Sequence, residues 1–118
     1  MLGKGTLEPA LHVHAKGLPV EFPGWRSDPK PYLSVADVVL CTSRHESFGA
    51  SIIEALAAGV PVVAPDVGIA REAGAIVVPR EKLAETVIEV LRTRAQGELK
   101  LKLFSKEEWA AVWKSSLL

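Results

Sequence analysis

The sequence has one cysteine, Cys41, and no apolar run long enough to cross a membrane. A lone cysteine cannot form an internal disulfide, and its apolar neighbours suggest a reduced, buried thiol, which predicts a cytoplasmic protein. A membrane helix needs about 20 apolar residues, and no signal peptide precedes the first charged residues. We therefore expect no transmembrane segment, whereas peripheral attachment to the inner membrane face stays open.

An excess of charge of one sign is also missing, since 14 basic residues balance 14 acidic ones. No overall field then attracts nucleic acid, and we expect no nucleic-acid partner. Histidine and cysteine are sparse as well, with three histidines and one cysteine. His12 and His14 lie two positions apart, which on a helix places them on different faces, so we predict no metal site.

With 118 residues, the chain is long enough for one domain and too short for two.

The sequence does contain short apolar runs that alternate with amphipathic stretches. Runs without polar alternation indicate strands covered on both faces by helices. This pattern predicts an α/β domain with a parallel sheet of about four strands, which binds ligands at the carboxyl ends of its strands. The predicted strands are 18–22, 38–41, 60–64 and 75–78, and the predicted helices begin near Thr6, Asp28, Ser47, Arg80 and Ser105.

The stretch 42–59 forms a strand–loop–helix junction at one of these strand ends. Glu46 lies in the loop, and Glu54 follows eight positions later inside the predicted helix. Gly59 suits the position directly after the helix, where glycine is favoured, and Pro61 prevents the helix from continuing. Glu54 is expected on the face opposite the sheet, among alanines. The stripe predicted to face the sheet is Phe48, Ile52, Ala55, Leu56 and Gly59.

The first turn of this helix is predicted to offer an anion site. Its N–H groups lie at the positive end of the helix dipole, and Gly49 lets a phosphate approach closely. With a helical rise throughout, Glu46 and Glu54 would be about 12 Å apart, which suits a diphosphate with a hydroxyl-bearing ring on either side. The ordinary alternative is that Glu46 only favours the dipole and that Glu54 is an exposed helix residue. The N–H groups belong to Phe48, Gly49, Ala50 and Ser51.

Residues 46–54, read as E-S-F-G-A-S-I-I-E and continued by A-L-A-A-G-V-P-V-V-A, resemble the Glu-x7-Glu signature of retaining GT-B glycosyltransferases of group 1 (family 4). The resemblance extends to V-E-F-P-G-W-R and P-Y-L-S-V-A-D-V-V-L-C-T-S-R-H-E before this stretch, and to D-V-G-I-A-R-E-A-G-A-I-V-V-P after it. It covers about residues 3–94 and implies the C-terminal, donor-binding, Rossmann-like half of that fold. We therefore predict one truncated nucleotide-sugar-binding domain over 1–118, with 1–94 as the family core and 95–118 as a linker and helix.

The resemblance also implies roles for the matching residues. Glu46 would bind hydroxyls of the donor sugar as the catalytic residue, and Glu54 would bind the ribose. The loop of Gly24, Trp25 and Arg26 would contact the base, mainly through Arg26. The nucleotide diphosphate sugar is then a substrate, no cofactor or metal is implied, and the reaction transfers a hexosyl group in polysaccharide or glycoconjugate biosynthesis. The residues implied to meet the sugar and diphosphate are Ser47, Phe48, Gly49, Ala50 and Ser51.

The chain also departs from the family pattern. Members have an N-terminal acceptor domain and two strands before the position of Gly3, which carry an arginine and a lysine for the diphosphate, and nothing here corresponds to them. We expect an isolated chain with little transferase activity, completed by a missing domain, a partner chain or another copy. Alternatives are a non-catalytic nucleotide-sugar-binding or partner subunit and a sugar-nucleotide epimerase. Trp109 and Trp113 are expected either to cover bare core or to mediate self-association.

Overall fold

The computed structural model describes residues 1–116, so the last two residues of the predicted domain, 117–118, lie outside the described residues. The chain divides into two compact units, Met1–Tyr32 and Leu33–Leu118. No helix within residues 1–116 has the length and apolarity needed to cross a membrane.

The first unit contains helix α1 (Glu8–His14) and a loop that returns to the first residues of the chain. Pro9 lies in the first turn of α1, where its missing N–H is not needed. Leu2 and Gly24 form an isolated parallel bridge, and the N–H of Gly3 donates to the carbonyl of Gly24 at 2.9 Å. This bridge holds the start of the loop that follows Gly24.

The strand predicted at 18–22 is wrong. This segment forms no ladder, and the side chains of Leu18 and Val20 are exposed. Pro19 has no N–H to donate, and strands are stable only beside a neighbour that accepts their hydrogen bonds. Apolar and β-branched residues alone therefore do not make a strand here.

The second unit is an open α/β sheet whose strands are separated along the chain by helices. Its elements, in order after α2 (Lys30–Leu33), are β1 (Val39–Leu40), α3 (Ala50–Ala57), β2 (Val62–Ala64), α4 (Ala70–Ala73), β3 (Ile76–Val77), a 3₁₀ turn (Arg80–Lys82), α5 (Leu83–Thr93) and α6 (Lys106–Ser116). The strands pair in parallel in the order β1-β2-β3. The predicted parallel α/β architecture is confirmed, with three strands in place of about four.

The central strand β2 is covered on both faces, as its unbroken apolar sequence predicts. Val62 and Ala64 belong to a cluster with α3 and α4, whereas Val63 packs with Leu83 and Val90 of α5 on the other face. All three strand residues are fully buried. The same expectation is wrong for β1, where Leu40 is 46% exposed, because β1 is one of the two edge strands of the described sheet.

The segment after α5 packs back onto this unit. The N–H of Gly97 donates to the carbonyl of Gly59 at 2.9 Å, and the N–H of Lys100 donates to the carbonyl of Ala73 at 2.9 Å. Leu99 and Leu101 join the cluster formed with α3 and α4. Part of the predicted linker therefore belongs to the packed unit.

Helix α6 begins with the predicted capping box. The N–H of Glu108 donates to Ser105 Oγ at 3.1 Å, and Glu108 Oε2 accepts from the N–H of Ser105 at 2.8 Å. Trp109 and Trp113 stack on each other with ring centroids 5.5 Å apart, and both stay more than half exposed. No residue of α6 is buried, so the expectation that these rings cover the core is not met in the described part of the chain.

Candidate functional site

The candidate site starts where the chain leaves β1 at the carboxyl end of the sheet. The N–H of Cys41 makes the last ladder bond, to the carbonyl of Val63 at 2.9 Å. Two residues later, Ser43 Oγ donates to Glu46 Oε1 at 2.7 Å in a partly buried contact. The Glu46 carboxylate is thereby held in one orientation at the strand end, while the intervening Arg44 and His45 are exposed.

Helix α3 begins at Ala50, three residues later than predicted from Ser47. The reason is Gly49, which caps the helix in the left-handed region with φ 96° and ψ 48°, a conformation that other residues rarely adopt. Since residues 47–49 are not helical, the estimate of about 12 Å between Glu46 and Glu54 rests on a geometry that the chain does not have. Phe48 lies before the helix and is 54% exposed, so its predicted place in the buried stripe is wrong.

Three residues of the predicted stripe lie inside the helix and face the core as predicted. Ile52, Ala55 and Leu56 are buried, and Ile53 joins them at 8% exposure. Gly59, predicted in the same stripe, is exposed because it lies beyond the last turn. Glu54 is exposed on the opposite face, together with the alanines Ala50, Ala57 and Ala58.

The start of α3 has spare backbone donors. Within residues 1–116, none of four consecutive N–H groups donates to an acceptor. The first turn of a helix leaves such groups free for a ligand or for water, and they carry the positive end of the helix dipole. These donors belong to the predicted residues Phe48, Gly49, Ala50 and Ser51.

The loop between β1 and α3, residues 41–49, is called the site loop. A second loop, after β2, packs against it. The N–H of Ile69 donates to the carbonyl of Phe48 at 2.9 Å. Gly68 has φ 50°, and a Cβ added to it would lie 2.5 Å from the carbonyl oxygen of Phe48 and 3.0 Å from Glu46 Cβ. Only glycine therefore allows the two loops to approach this closely.

Sequence reasoning missed a third contact, made by Arg80. Its Nη1 donates to the carbonyl of Thr42 at 2.7 Å and to the carbonyl of Ser43 at 3.1 Å. The sequence suggested only that Arg80 is the first residue of a helix. The available signal was its position, because a long cation directly after the carboxyl end of β3 can reach loops at neighbouring strand ends.

Beside these loops lies a cavity of about 320 Å³ at the carboxyl ends of β2 and β3, lined in part by Asp66, Arg71 and Arg80. Arg71 Nη2 donates to Asp66 Oδ2 at 2.8 Å. This hydrogen bond, and then the charge of Asp66, raise the pKa of the Arg71 guanidinium above its ordinary value. No three His, Cys, Asp or Glu side chains of residues 1–116 come close enough together to hold a metal ion.

The predicted base-contacting loop lies in the first unit. Gly24 has φ 76°, Trp25 is 66% exposed, and Arg26 is exposed. Arg26 Nε donates to the Tyr32 hydroxyl at 3.1 Å, which gives the guanidinium one fixed neighbour. Both predicted contact side chains are therefore accessible to a ligand.

The fold and the loop together define a class of protein. An open parallel sheet with a polar loop and unbonded amides at a strand's carboxyl end is typical of Rossmann-like, nucleotide-binding halves of larger folds. The family model for glycosyl transferases group 1 matches residues 1–93, and the chain belongs to this family. The predicted glycosyltransferase resemblance is confirmed, whereas the retaining mechanism stays a prediction.

Curated relatives are similar to about half of the chain. LpsE of Rhizobium meliloti, named a lipopolysaccharide core biosynthesis glycosyltransferase, is 40% identical over 67 residues, which is 53% of this chain and 20% of the relative. The GDP-mannose-dependent alpha-(1-6)-phosphatidylinositol dimannoside mannosyltransferase of Mycobacterium tuberculosis is 42% identical over 64 residues, which is 52% of this chain and 17% of the relative. The chain thus spans a fifth or less of these relatives.

Solved structures show the same fold. HepE of Anabaena, crystallised with UDP and glucose, aligns with 99% of this chain and 39% of its own at a TM-score of 0.66 and 21% identity. TarM aligns with 79% of this chain and 21% of its own at a TM-score of 0.65 and 21% identity. These similarities support the GT-B assignment of the fold.

Proposed function

We propose that this chain provides the donor-binding half of a retaining glycosyltransferase that transfers a hexosyl group from a nucleotide diphosphate sugar. One observation carries the proposal: the oriented carboxylate of Glu46 and four unbonded N–H groups follow the same strand end. A carboxylate accepts hydrogen bonds from sugar hydroxyls, and amides at a helix start bind phosphate. Family membership supports the reaction class. The named GDP-mannose dependence of one relative and the UDP and glucose in HepE support the donor class.

The amides would act on the leaving group. Negative charge develops on the diphosphate as its bond to the sugar breaks, and N–H groups that are already fixed stabilise that charge without reorganising. In this proposal the diphosphate lies against the backbone of 48–51, with Ser47 beside it. Glu46 accepts from hydroxyls of the reacting sugar, and it is the proposed catalytic residue because it would touch that ring.

The remaining contacts concern the nucleoside. Glu54 is exposed on α3 among small residues, so a ribose could approach the helix closely and donate two hydroxyls to the carboxylate. In the first unit, we assign the base to the loop of Gly24, Trp25 and Arg26. A planar guanidinium stacks well on an aromatic ring, and the bond from Arg26 to Tyr32 limits its motion.

The proposal covers recognition of the donor rather than complete turnover. We place the protein in the cytoplasm, in keeping with its free, half-buried Cys41. Transfer then requires an acceptor-binding part, from a longer chain or from a partner. We therefore expect the 118-residue chain to bind donor and to transfer sugar at a rate far below that of ordinary enzymes.

The test is calorimetric titration of the full chain with GDP-mannose and with UDP-glucose. Separate titrations with GDP and with UDP give the affinity for the corresponding nucleoside diphosphate. Glu46→Gln should weaken binding of the nucleotide sugar about tenfold and leave nucleoside diphosphate binding unchanged, since it removes charge only at the sugar. Glu54→Gln should weaken both ligands alike, because both carry the ribose. Glu89→Gln, at an exposed position in the middle of α5, is the matched control and should change neither.

Two results would contradict the proposal. Absence of binding by the wild-type chain at millimolar ligand would reject donor recognition. Equal affinities of wild type and Glu54→Gln for a ligand that does bind would reject the ribose assignment.

A second candidate is a non-catalytic subunit that works with a partner. The exposed apolar side chains of α6 favour it, because Trp109, Val112 and Trp113 are each more than half exposed. Sedimentation of wild type and of Trp113→Ala distinguishes self-association from a monomer. Association that depends on Trp113, combined with absence of nucleotide-sugar binding, would favour this candidate.

A further inference from the structure

The carboxyl ends of the two outer strands are tied together by one side chain. Arg80 follows β3, whereas Thr42 and Ser43 follow β1, and β2 lies between these strands. Neighbouring strands are about 4.8 Å apart, so the side chain must reach across the end of the middle strand to bind both carbonyls. The two distances of 2.7 and 3.1 Å show that Nη1 does so. Hydrogen bonds from a cationic donor are roughly twice as strong as neutral ones.

The same serine continues this connection to the site. Its carbonyl accepts from Arg80, and its hydroxyl donates to Glu46 Oε1 at 2.7 Å. We propose that Arg80 and Ser43 are positioning residues that hold the Glu46 carboxylate ready for the donor sugar. This inference rests on the proposed function, because it assigns a purpose to an orientation of Glu46 that matters only if Glu46 binds a ligand.

The geometry explains why such positioning is useful. Oε1 of Glu46 is engaged by Ser43, which leaves Oε2 and the remaining lone pairs for hydroxyls of a ligand. A carboxylate that is already fixed loses little side-chain freedom when the sugar binds, so more of the interaction appears as affinity. The connection should therefore affect recognition of the sugar and not of the nucleoside diphosphate.

Two other roles for Arg80, purely structural or purely electrostatic, predict different effects on ligand binding. If it only stabilises the strand ends, its removal should lower the melting temperature and weaken every ligand alike. If it only attracts anionic ligands through its charge, removal of Arg71 should have the same effect, because Arg71 lines the same cavity. Arg71 bonds Asp66 and makes no hydrogen bond to the site loop within residues 1–116.

The first experiment compares affinities of the full-length variants Arg80→Ala, Ser43→Ala and Arg71→Ala for GDP-mannose and GDP, and for UDP-glucose and UDP. We expect Arg80→Ala and Ser43→Ala to weaken the nucleotide sugars about fivefold while the nucleoside diphosphates change less than about twofold. Arg71→Ala should weaken both ligands of a pair by the same factor. Equal losses for both ligands in Arg80→Ala, or equal behaviour of Arg80→Ala and Arg71→Ala, overturn the positioning role.

The second experiment needs no ligand and separates this inference from the proposed function. The amide of Ile69 donates to the carbonyl of Phe48, so its hydrogen exchange, measured by NMR, reports whether the site loop stays in place. We expect Arg80→Ala to accelerate this exchange about tenfold, and Arg92→Ala, a control on α5, to leave it unchanged. If the wild-type chain binds no nucleotide sugar, the proposed function fails. The exchange rates then still test the structural premise: unchanged exchange in Arg80→Ala overturns the claim that Arg80 holds the site loop, and acceleration supports that claim alone, because the role toward the sugar fails together with the proposed function.

Discussion

Gly68 gives the most quantitative prediction from this structure. Its φ of 50° lies in the left-handed region, and a Cβ at this position would meet backbone atoms of Phe48 at 2.5 and 2.9 Å and Glu46 Cβ at 3.0 Å. Backbone atoms cannot swing aside as the end of a flexible side chain can. We therefore expect Gly68→Ala to displace the site loop as well as to strain its own backbone.

The magnitude has two parts. An alanine in the left-handed region costs about 1–2 kcal/mol, and forcing extra atoms into a closely packed contact costs about 1–3 kcal/mol. Their sum, about 2–5 kcal/mol, is a large fraction of the roughly 5–15 kcal/mol by which a small domain is stable. Gly59→Ala isolates the first part, because Gly59 has φ 80° and its added Cβ would meet nothing within 4 Å.

The assay is thermal unfolding of wild type, Gly68→Ala and Gly59→Ala, followed by circular dichroism. For a domain of this size, about 1 kcal/mol corresponds to roughly 4 °C, so Gly68→Ala should melt about 4–12 °C below Gly59→Ala. Nucleotide-sugar binding should fall in Gly68→Ala alone. Equal melting temperatures for the two variants would refute the close packing of the loops after β1 and β2.

The remaining predictions concern the core and the last helix. Val63→Ala should lower the free energy of unfolding by about 1–3 kcal/mol in urea titrations, because this side chain is fully buried between β2 and α5. Val35→Ala, at a residue 79% exposed, should stay within about 0.5 kcal/mol of wild type, and equal losses in both variants would contradict the assigned core. Ser105→Ala removes the capping side chain of α6 and should destabilise that helix by about 0.5–2 kcal/mol. A loss of far-UV helical signal not seen in Ser115→Ala would show this, and equal spectra would reject the capping box.

The predictable part of the fold is the part in which one local signal suffices. The unbroken apolar run of β2 predicts a strand, and helices do cover both of its faces. The start of α6 is predicted because the side chains of Ser105 and Glu108 each accept a hydrogen bond from the other's N–H group within four residues. The segment 18–22 has an equally apolar sequence, but a strand also needs a neighbour, which sequence periodicity does not reveal. Leu40 shows the same limit, since its exposure depends on β1 being an edge strand.

The predictable part of the site is likewise local. Glu46, Glu54 and the spare amides of 48–51 lie within nine consecutive residues, so their pattern can be found in the sequence and in a family resemblance. Arg80 could not be found in this way, because it contacts a loop 37 and 38 residues earlier in the chain. Gly68 is similar, because its importance comes from the approach of another loop and not from its own turn.

The hydrogen bonds of the site loop have a direction that bears on the kind of ligand it can bind. Carbonyls of Thr42, Ser43 and Phe48 accept from Arg80 and Ile69, and the carbonyl of Gly49 accepts from the first turn of α3. No N–H between positions 42 and 51 donates to an acceptor in residues 1–116. Each hydrogen bond made to the backbone of this stretch thus engages a carbonyl oxygen, and its N–H groups stay unbonded in the described residues. We expect the backbone of a loop fixed in this way to favour acceptor groups of a ligand over donor groups, because it is already ordered and its unbonded N–H groups gain most from oxygen atoms that carry charge.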